Sequence, residues 1–420
     1  MAKEKIVVEG GTPLAGEVHI SGAKNSALKL IAAALLGQGE SAIHNVPLIS
    51  DIVVMSKVIE TLGGSVRRDG HTLHVDTAGV DTWETPYELV SKMRASISVL
   101  GPLVARFGKA RVAMPGGCNL GARKIDMHMV GMEALGVHFH TDHGYIEAST
   151  PNGLHGAYVA LDFPSVGATE NAMLAACQAE GTTVISNAAR EPEIVELQDF
   201  LRAMGASVRG AGSATVVIEG RKKLHGCTHL VRPDRIVAAT YLCAAAATGG
   251  CVCLRRAEYR HMASVLCVLQ GSGCDVRSDG CGICLKSSGR LRAVPPVRTS
   301  PYPGFPTDAQ AIMMAALLRS KGSTVFVETL FSDRYRHVPQ LQKMGAQIRT
   351  RGQTAIVTGT ENLHGTAVQA TDLRGGAALI VGGLQAEGIT RVEQIHHIER
   401  GYADIVGDLA GLGACIYTEK

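Results

Sequence analysis

Six short phrases along this chain carry residue types that could hold an anion: Lys24-Asn25, Arg94, Ser165-Val166-Gly167, Asp234-Arg235, Asp308 and Asp372-Leu373-Arg374. From Lys24 to Arg94, Gly167, Asp234, Asp308 and Asp372 the steps are 70, 73, 67, 74 and 64 residues. Each phrase stands at the start of an apolar, alanine-rich stretch that predicts a buried helix, such as Ser26–Leu36 and Ala309–Leu318. Free N–H groups and the positive end of the helix dipole favour negative ligand groups at such places. Asp and Ser there are also ordinary helix caps. Capping does not account for Lys24, Arg94 or Arg374, because cations at that end oppose the dipole; a bound anion is the simplest partner for them.

A further segment breaks the pattern. Met114-Pro-Gly-Gly-Cys-Asn-Leu-Gly-Ala-Arg-Lys124 holds three glycines, a cysteine and two cations. Glycines open backbone conformations closed to other residues, which suits a loop that closes over a ligand. A thiol beside Arg123 and Lys124 gains thiolate character, so Cys118 is a candidate for chemistry. The plainer alternative is a glycine-rich turn with an incidental cysteine.

The elements that must position these residues also recur. Leu62-Gly-Gly-Ser-Val66, Leu135-Gly-Val137, Met204-Gly-Ala-Ser-Val208, Ser272-Gly-Cys-Asp-Val276, Met344-Gly-Ala-Gln-Ile348 and Leu412-Gly-Ala-Cys-Ile416 place Gly63, Gly136, Gly205, Gly273, Gly345 and Gly413 at steps of 73, 69, 68, 72 and 68. A glycine there fits a left-handed helix C-cap leading into a strand. Units near 70 residues are too long for solenoid modules, so each is a small α/β unit of its own. A turn phrase, Leu-x-Gly, repeats at Leu14–Gly16, Leu154–Gly156, Leu224–Gly226 and Leu363–Gly365. The proline-rich stretch Pro295–Pro306 occupies the strand position of the fifth unit and leads to Asp308, which argues against an interdomain linker.

A chain of 420 residues is long enough for two domains. A hydrophobic content of 46% with only 4% aromatic residues implies cores of Ala, Val, Leu and Ile. The formal charge of +3, with no dense Lys/Arg run, argues against nucleic-acid binding. No secretory h-region follows Met1, and no apolar run reaches lipid length, so a soluble cytoplasmic protein without membrane contact is expected. Eleven scattered cysteines argue against a disulfide framework, and Cys251, Cys253, Cys281 and Cys284 are expected as ordinary packed thiols rather than metal ligands. His138 and His140 fall on one face of a strand, followed by a turn at Asp142-His143, which is a weak metal signal.

At these residues the chain closely resembles the UDP-N-acetylglucosamine 1-carboxyvinyltransferases, a family of enolpyruvyl transferases. The resemblance runs over essentially the whole length. It is carried by Ser21-Gly-Ala-Lys-Asn-Ser26, Met93-Arg-Ala-Ser96, Pro115-Gly-Gly-Cys118, Pro164-Ser-Val-Gly-Ala-Thr169, Arg232-Pro-Asp-Arg235, Gly304-Phe-Pro-Thr-Asp308, Asp372-Leu-Arg374 and Arg400-Gly-Tyr402. It implies a two-domain inside-out α/β barrel of six repeated βαβαββ-type units, three per domain, with ligands in the cleft between. By the same resemblance, residues 1–23 join 233–420 in one domain and 24–232 form the other.

The resemblance also implies roles. Lys24, Arg123 and Arg400 match positions that hold the phosphate and carboxylate of phosphoenolpyruvate, with Asn25, Arg94 and Arg374 in the same pocket and Asp372 in support. Asn25, Asp308 and Leu330 match contacts to the sugar of UDP-N-acetylglucosamine. Arg94, Ser165, Val166 and Gly167, together with Arg123, Lys124, Ile125, Asp126 and Met127, match its diphosphate and uridine contacts. Asp308 is then the general base, Lys24 a catalytic cation, and Cys118 the proton donor and target of fosfomycin. No cofactor or metal is implied, and the expected state is a monomer or weak oligomer. The chain departs from the family's usual residues at Lys124, at Ser332-Asp333-Arg334-Tyr335, at Val237 and at Ser98, where an aromatic residue is common. Two alternatives remain at this point: a 3-phosphoshikimate 1-carboxyvinyltransferase, and a catalytically silent paralogue that binds the nucleotide sugar and regulates.

Overall fold

The computed structural model describes residues 4–90, 93–114 and 125–419, with Arg94 described as backbone only. Cys118, Arg123 and Lys124 therefore lie outside the described residues.

The glycine markers do what their type allows. Gly63, Gly136, Gly205, Gly273, Gly345 and Gly413 all have φ between +92° and +106°, the left-handed region that only glycine enters freely. Each closes the second helix of its unit, for example Ser50–Thr61, Pro192–Ala203 and Ile405–Gly411. The first helix of each unit is the alanine-rich one. Lys24–Ala34, Leu100–Phe107, Val166–Ala176, Arg235–Thr248, Thr307–Ala316 and Leu373–Gln385 start within two residues of the phrases named above, apart from the second. There a 3-10 helix, Arg94–Val99, precedes Leu100–Phe107, so Arg94 begins a tighter turn rather than the α-helix itself.

The described strands form six sheets, five of four strands and one of three. The same pairing order recurs in the five larger sheets: one parallel neighbour, then two antiparallel. Thr228–Leu230 runs parallel to Glu40–His44, which pairs antiparallel with Thr72–Asp76, which in turn pairs with Ser65–Asp69. In the three-stranded sheet the parallel member shrinks to a single bridge between Glu84 and Arg111. The Leu-x-Gly phrases lie at these parallel contacts, where a Cβ on Gly226 would fall 1.9 Å from the Glu40 carbonyl oxygen. Val297–Arg298, within the proline-rich stretch, is likewise a parallel strand beside Ser323–Val327.

The described chain divides into two compact units, residues 4–21 with 233–419 and residues 22–114 with 125–232. Each has its own apolar core. In the first, the helices Arg235–Thr248, Thr307–Ala316 and Leu373–Gln385 pack on one another and are buried along nearly their whole length. Alanine and glycine allow that approach, since small side chains let helix backbones come close while larger neighbours fill the gaps. Helices inside and sheets outside make this an inside-out α/β architecture of six repeats. Among the described residues no helix is long and apolar enough to cross a membrane.

The cysteines correct one expectation. Cys253 and Cys284 face each other on neighbouring antiparallel strands and are joined as a disulfide, rather than being packed thiols. Cross-strand opposition brings their Cβ atoms together, a pairing that sequence spacing does not reveal. Cys251 and Cys281 are exposed rather than buried.

Candidate functional site

Three of the six helix-start phrases are caps. The Ser165 hydroxyl accepts from the Ala168 N–H, Asp234 from those of Ile236 and Val237, and Asp372 from those of Arg374 and Gly375. The helices that begin at Lys24 and Thr307 have no side-chain cap. Asp308 is the second residue of its helix. Arg334 Nη2 lies 3.0 Å from its Oδ1 and Arg374 Nη2 3.4 Å from its Oδ2. Two guanidinium groups on one carboxylate favour its charged form. Its side chain keeps 30% of its exposure, so the group is held yet reachable.

Around Asp308 a polar cluster is built inside the first unit. Arg334 is 2% exposed and also donates to the Thr307 carbonyl at 2.9 Å. Arg374 is buried, and its Nη1 reaches the Tyr402 hydroxyl at 3.4 Å, which lies 2.7 Å from the Thr240 hydroxyl. Burial opposes the Arg374 charge, but Tyr402, Asp308 and Asp234 outweigh it and hold the guanidinium above its ordinary range. Its Nε, also buried, has no hydrogen-bond partner among the described residues. An arginine so placed retains a donor for a further acceptor, and planar oxyanions suit it.

Asp372 is buried, which pushes its carboxyl up. The Arg334 charge, the Gly375 N–H, His337 and the Arg374 N–H prevail and hold it below the usual carboxylate range. His337 beside it is completely buried, and that burial pulls its titration down to about 4. Glu328 organises the neighbouring loop. Its Oε1 accepts from Thr299 and from the N–H groups of Leu330 and Phe331, while its Oε2 accepts from Thr307 at the helix start of Asp308. Arg400 is half-buried and adds its charge beside His397.

The second unit holds the other assigned residues. Lys24 is 8% exposed, and its Nζ lies 2.6 Å from Asp51 Oδ2. Protein carboxylates also stand beside two of the helix-start cations, Asp51 for Lys24 and Asp308 for Arg374. Asn25 is exposed at the next position. Gly22, in the same phrase, is required by space, since a Cβ there would sit 1.9 Å from the Asn45 carbonyl oxygen. Gly167 is required by the His128 ring, which would lie 2.6 Å from its Cβ. Ser165, Val166 and Gly167 are partly exposed, while Ile125, Asp126 and Met127 form the entry to the helix Asp126–Glu133.

The structure brings Asp308, Arg374 and the capping Asp372 together in one unit, and Lys24 with Asn25 at one helix start in the other. Sequence reasoning missed Asp51, Glu328, Arg334 as a partner of Asp308, and His337. For Arg334 a signal existed, an arginine inside the Ser332–Tyr335 departure. For Asp51 and Glu328 nothing distinguished them from surface acids. Among the described residues no three His, Cys, Asp or Glu side chains are grouped to hold a metal. His138 and His140 both lie exposed on the strand His138–Asp142.

Residues 8–409 match the model of the EPSP synthase (3-phosphoshikimate 1-carboxyvinyltransferase) family. The chain belongs to this family. Within it, the chain is 48% identical over 417 residues to UDP-N-acetylglucosamine 1-carboxyvinyltransferase 1 of Caldanaerobacter subterraneus subsp. tengcongensis, covering 99% of this chain and all of that one. It is 47% identical to the UDP-N-acetylglucosamine 1-carboxyvinyltransferase of Myxococcus xanthus, covering 99% and 100%. Among solved structures, the enolpyruvyl transferase NikO from Streptomyces tendae superposes with a TM-score of 0.89 at 26% identity, covering 100% of this chain and 99% of that one. An EPSP synthase from Acinetobacter baumannii shares the fold, with a TM-score of 0.75 at 17% identity and full coverage of both chains.

Proposed function

We propose that this chain transfers the enolpyruvyl group of phosphoenolpyruvate to the 3-hydroxyl of UDP-N-acetylglucosamine and releases phosphate, the first committed step of peptidoglycan precursor synthesis. The observation that carries the reading is near-48% identity over almost the full length to proteins of that name. The Asp308 cluster supports it chemically. The sugar hydroxyl must lose a proton as its oxygen bonds to C2 of phosphoenolpyruvate, and Asp308 is a partly exposed carboxylate held by two guanidinium groups. C3 gains a proton, for which Cys118 is the assigned donor. The tetrahedral intermediate then loses phosphate, and the C2–C3 double bond returns as an enol ether.

Lys24, Arg123 and Arg400 are assigned to the phosphate and carboxylate, with Asn25, Arg94 and Arg374 beside them. Cations in these roles stabilise charge that develops in the transition state. Ser165, Val166, Gly167 and residues 123–127 are assigned to the diphosphate and uridine, and Leu330 to the sugar. A cytoplasmic monomer or weak oligomer accords with small soluble substrates.

The test is phosphate release on mixing the protein with phosphoenolpyruvate and UDP-N-acetylglucosamine. Release that requires the nucleotide sugar supports the reading. Release only with shikimate 3-phosphate would assign the other reaction of the family, and binding of the nucleotide sugar with no release would identify a silent regulator.

A further inference from the structure

A buried polar network in the second unit has no part in the chemistry above. Lys29 Nζ lies 2.7 Å from Glu170 Oε2 and 2.7 Å from Ser98 Oγ. The side chains of Lys29 and Glu170 are 11% and 1% exposed. One member comes from each of the three repeats, and each lies about one turn beyond an assigned phrase. Lys29 follows Lys24 on the helix Lys24–Ala34, Ser98 follows Arg94 on the 3-10 helix Arg94–Val99, and Glu170 follows Gly167 on Val166–Ala176.

Asn171 extends the network. Its Nδ2 donates to the Ile97 carbonyl at 3.2 Å and lies 2.8 Å from His128 Nδ1, and its Oδ1 accepts from the Gly101 N–H at 3.0 Å. The His128 ring is the group that fills the space beside Gly167. Burial and the charges of Glu193 and Glu191 push the Glu170 carboxyl up against the opposing pull of Lys29, so the pair is held under strain of desolvation. Such pairs add little net stability over apolar side chains of similar size, and fixing register is a better-attested use for them.

We propose that Lys29, Ser98 and Glu170 are positioning residues that lock the starts of three buried segments in one register, so that Lys24-Asn25, Arg94 and Ser165–Gly167 present their ligand groups together. The proposal rests on the function proposed above. It is tested with Lys29→Met and with the double variant Lys29→Met/Glu170→Leu, reading kinetics with phosphoenolpyruvate and UDP-N-acetylglucosamine alongside the thermal midpoint and circular dichroism.

Lys29→Met should lower the thermal midpoint and reduce kcat/KM for the nucleotide sugar about 10-fold or more, since small misplacements of binding groups are costly. The double variant should recover the midpoint, because an apolar pair replaces the ionic one, while its KM for UDP-N-acetylglucosamine stays raised about 5-fold or more. Recovery of both midpoint and KM would show that the network serves stability alone and overturn the proposal. Kinetics within twofold of the parent in Lys29→Met would overturn it as well. An inactive parent chain would instead overturn the functional reading, and the proposal with it.

Discussion

Asp308 shows how one atom's partner separates a cap from a reactive group. Asp234 and Asp372 each place an oxygen on two backbone N–H groups, whereas Asp308 meets the guanidinium groups of Arg334 and Arg374. Asp308→Asn should keep the fold by circular dichroism but lower the thermal midpoint, since two buried guanidinium groups lose a charge partner, while turnover falls about 10²-fold or more, the low end for loss of an acid–base group. Turnover within a few-fold of the parent would reassign the base. Cys118 carries the second prediction at this scale. In the segment Met114–Lys124 it stands with three glycines and two cations, so fosfomycin, an epoxide bearing a phosphonate, should alkylate it, faster with UDP-N-acetylglucosamine present. Cys118→Asp should be resistant yet active, because a carboxylic acid can also donate the proton. Peptide mass spectrometry that finds the adduct on another cysteine would refute the assignment.

The helix start that carries Lys24 depends on a close backbone contact. Val231 accepts from Asn45 Nδ2 at 2.9 Å, the Ala23 N–H donates to the Arg232 carbonyl at 2.7 Å, and Gly22 leaves no room for a Cβ against Asn45. Gly22→Ala must push these strands apart or rotate the helix entry. It should cost about 1–3 kcal/mol, the common range for overpacking, and should raise KM for phosphoenolpyruvate through Lys24. Urea denaturation followed with steady-state kinetics would check both. An unchanged denaturation midpoint would mean the contact yields without cost. The same logic makes the phrase legible in advance: a glycine, a small residue and a cation before an apolar run mark a tight entry into a buried helix. That Lys24 meets Asp51 was not legible, because the two come from successive helices whose rotation is set by packing.

Across the whole molecule, acid stability should report the buried His337–Asp372 pair. His337 titrates near 4 in the folded chain against an ordinary 6.5, so between those values the unfolded chain binds the extra proton. Stability from this group is then fully present above pH 6.5 and is lost as pH falls toward 4. Asp372, held below the usual carboxylate range, acts in the same direction at still lower pH. Between pH 7 and pH 5 the His337 contribution should fall by about 2 kcal/mol, and His337→Phe should remove that part of the slope. Chemical denaturation of both proteins at the two pH values measures it; parallel slopes would show that His337 protonates freely in the folded state.

The sixfold count, the buried helices and the helix-start phrases were all set by local chemistry: left-handed glycines, alanine-rich runs and charged entries are properties of short segments. The strand order was only partly so, since parallel partners such as Thr228–Leu230 and Glu40–His44 lie far apart in the chain. The division after Ser21 and after Arg232 follows from which apolar faces meet. Pairings decided by tertiary packing were not visible at all. Arg334 with Asp308, Glu328 with Thr307, Cys253 with Cys284, and Lys29 with Glu170 and Ser98 each join segments through the fold. The sequence determined which residues stand at helix starts, because capping, dipole and glycine conformation act within a turn. Only the tertiary structure decided which of those residues meet an opposite charge, because that depends on how separate helices are rotated against one another.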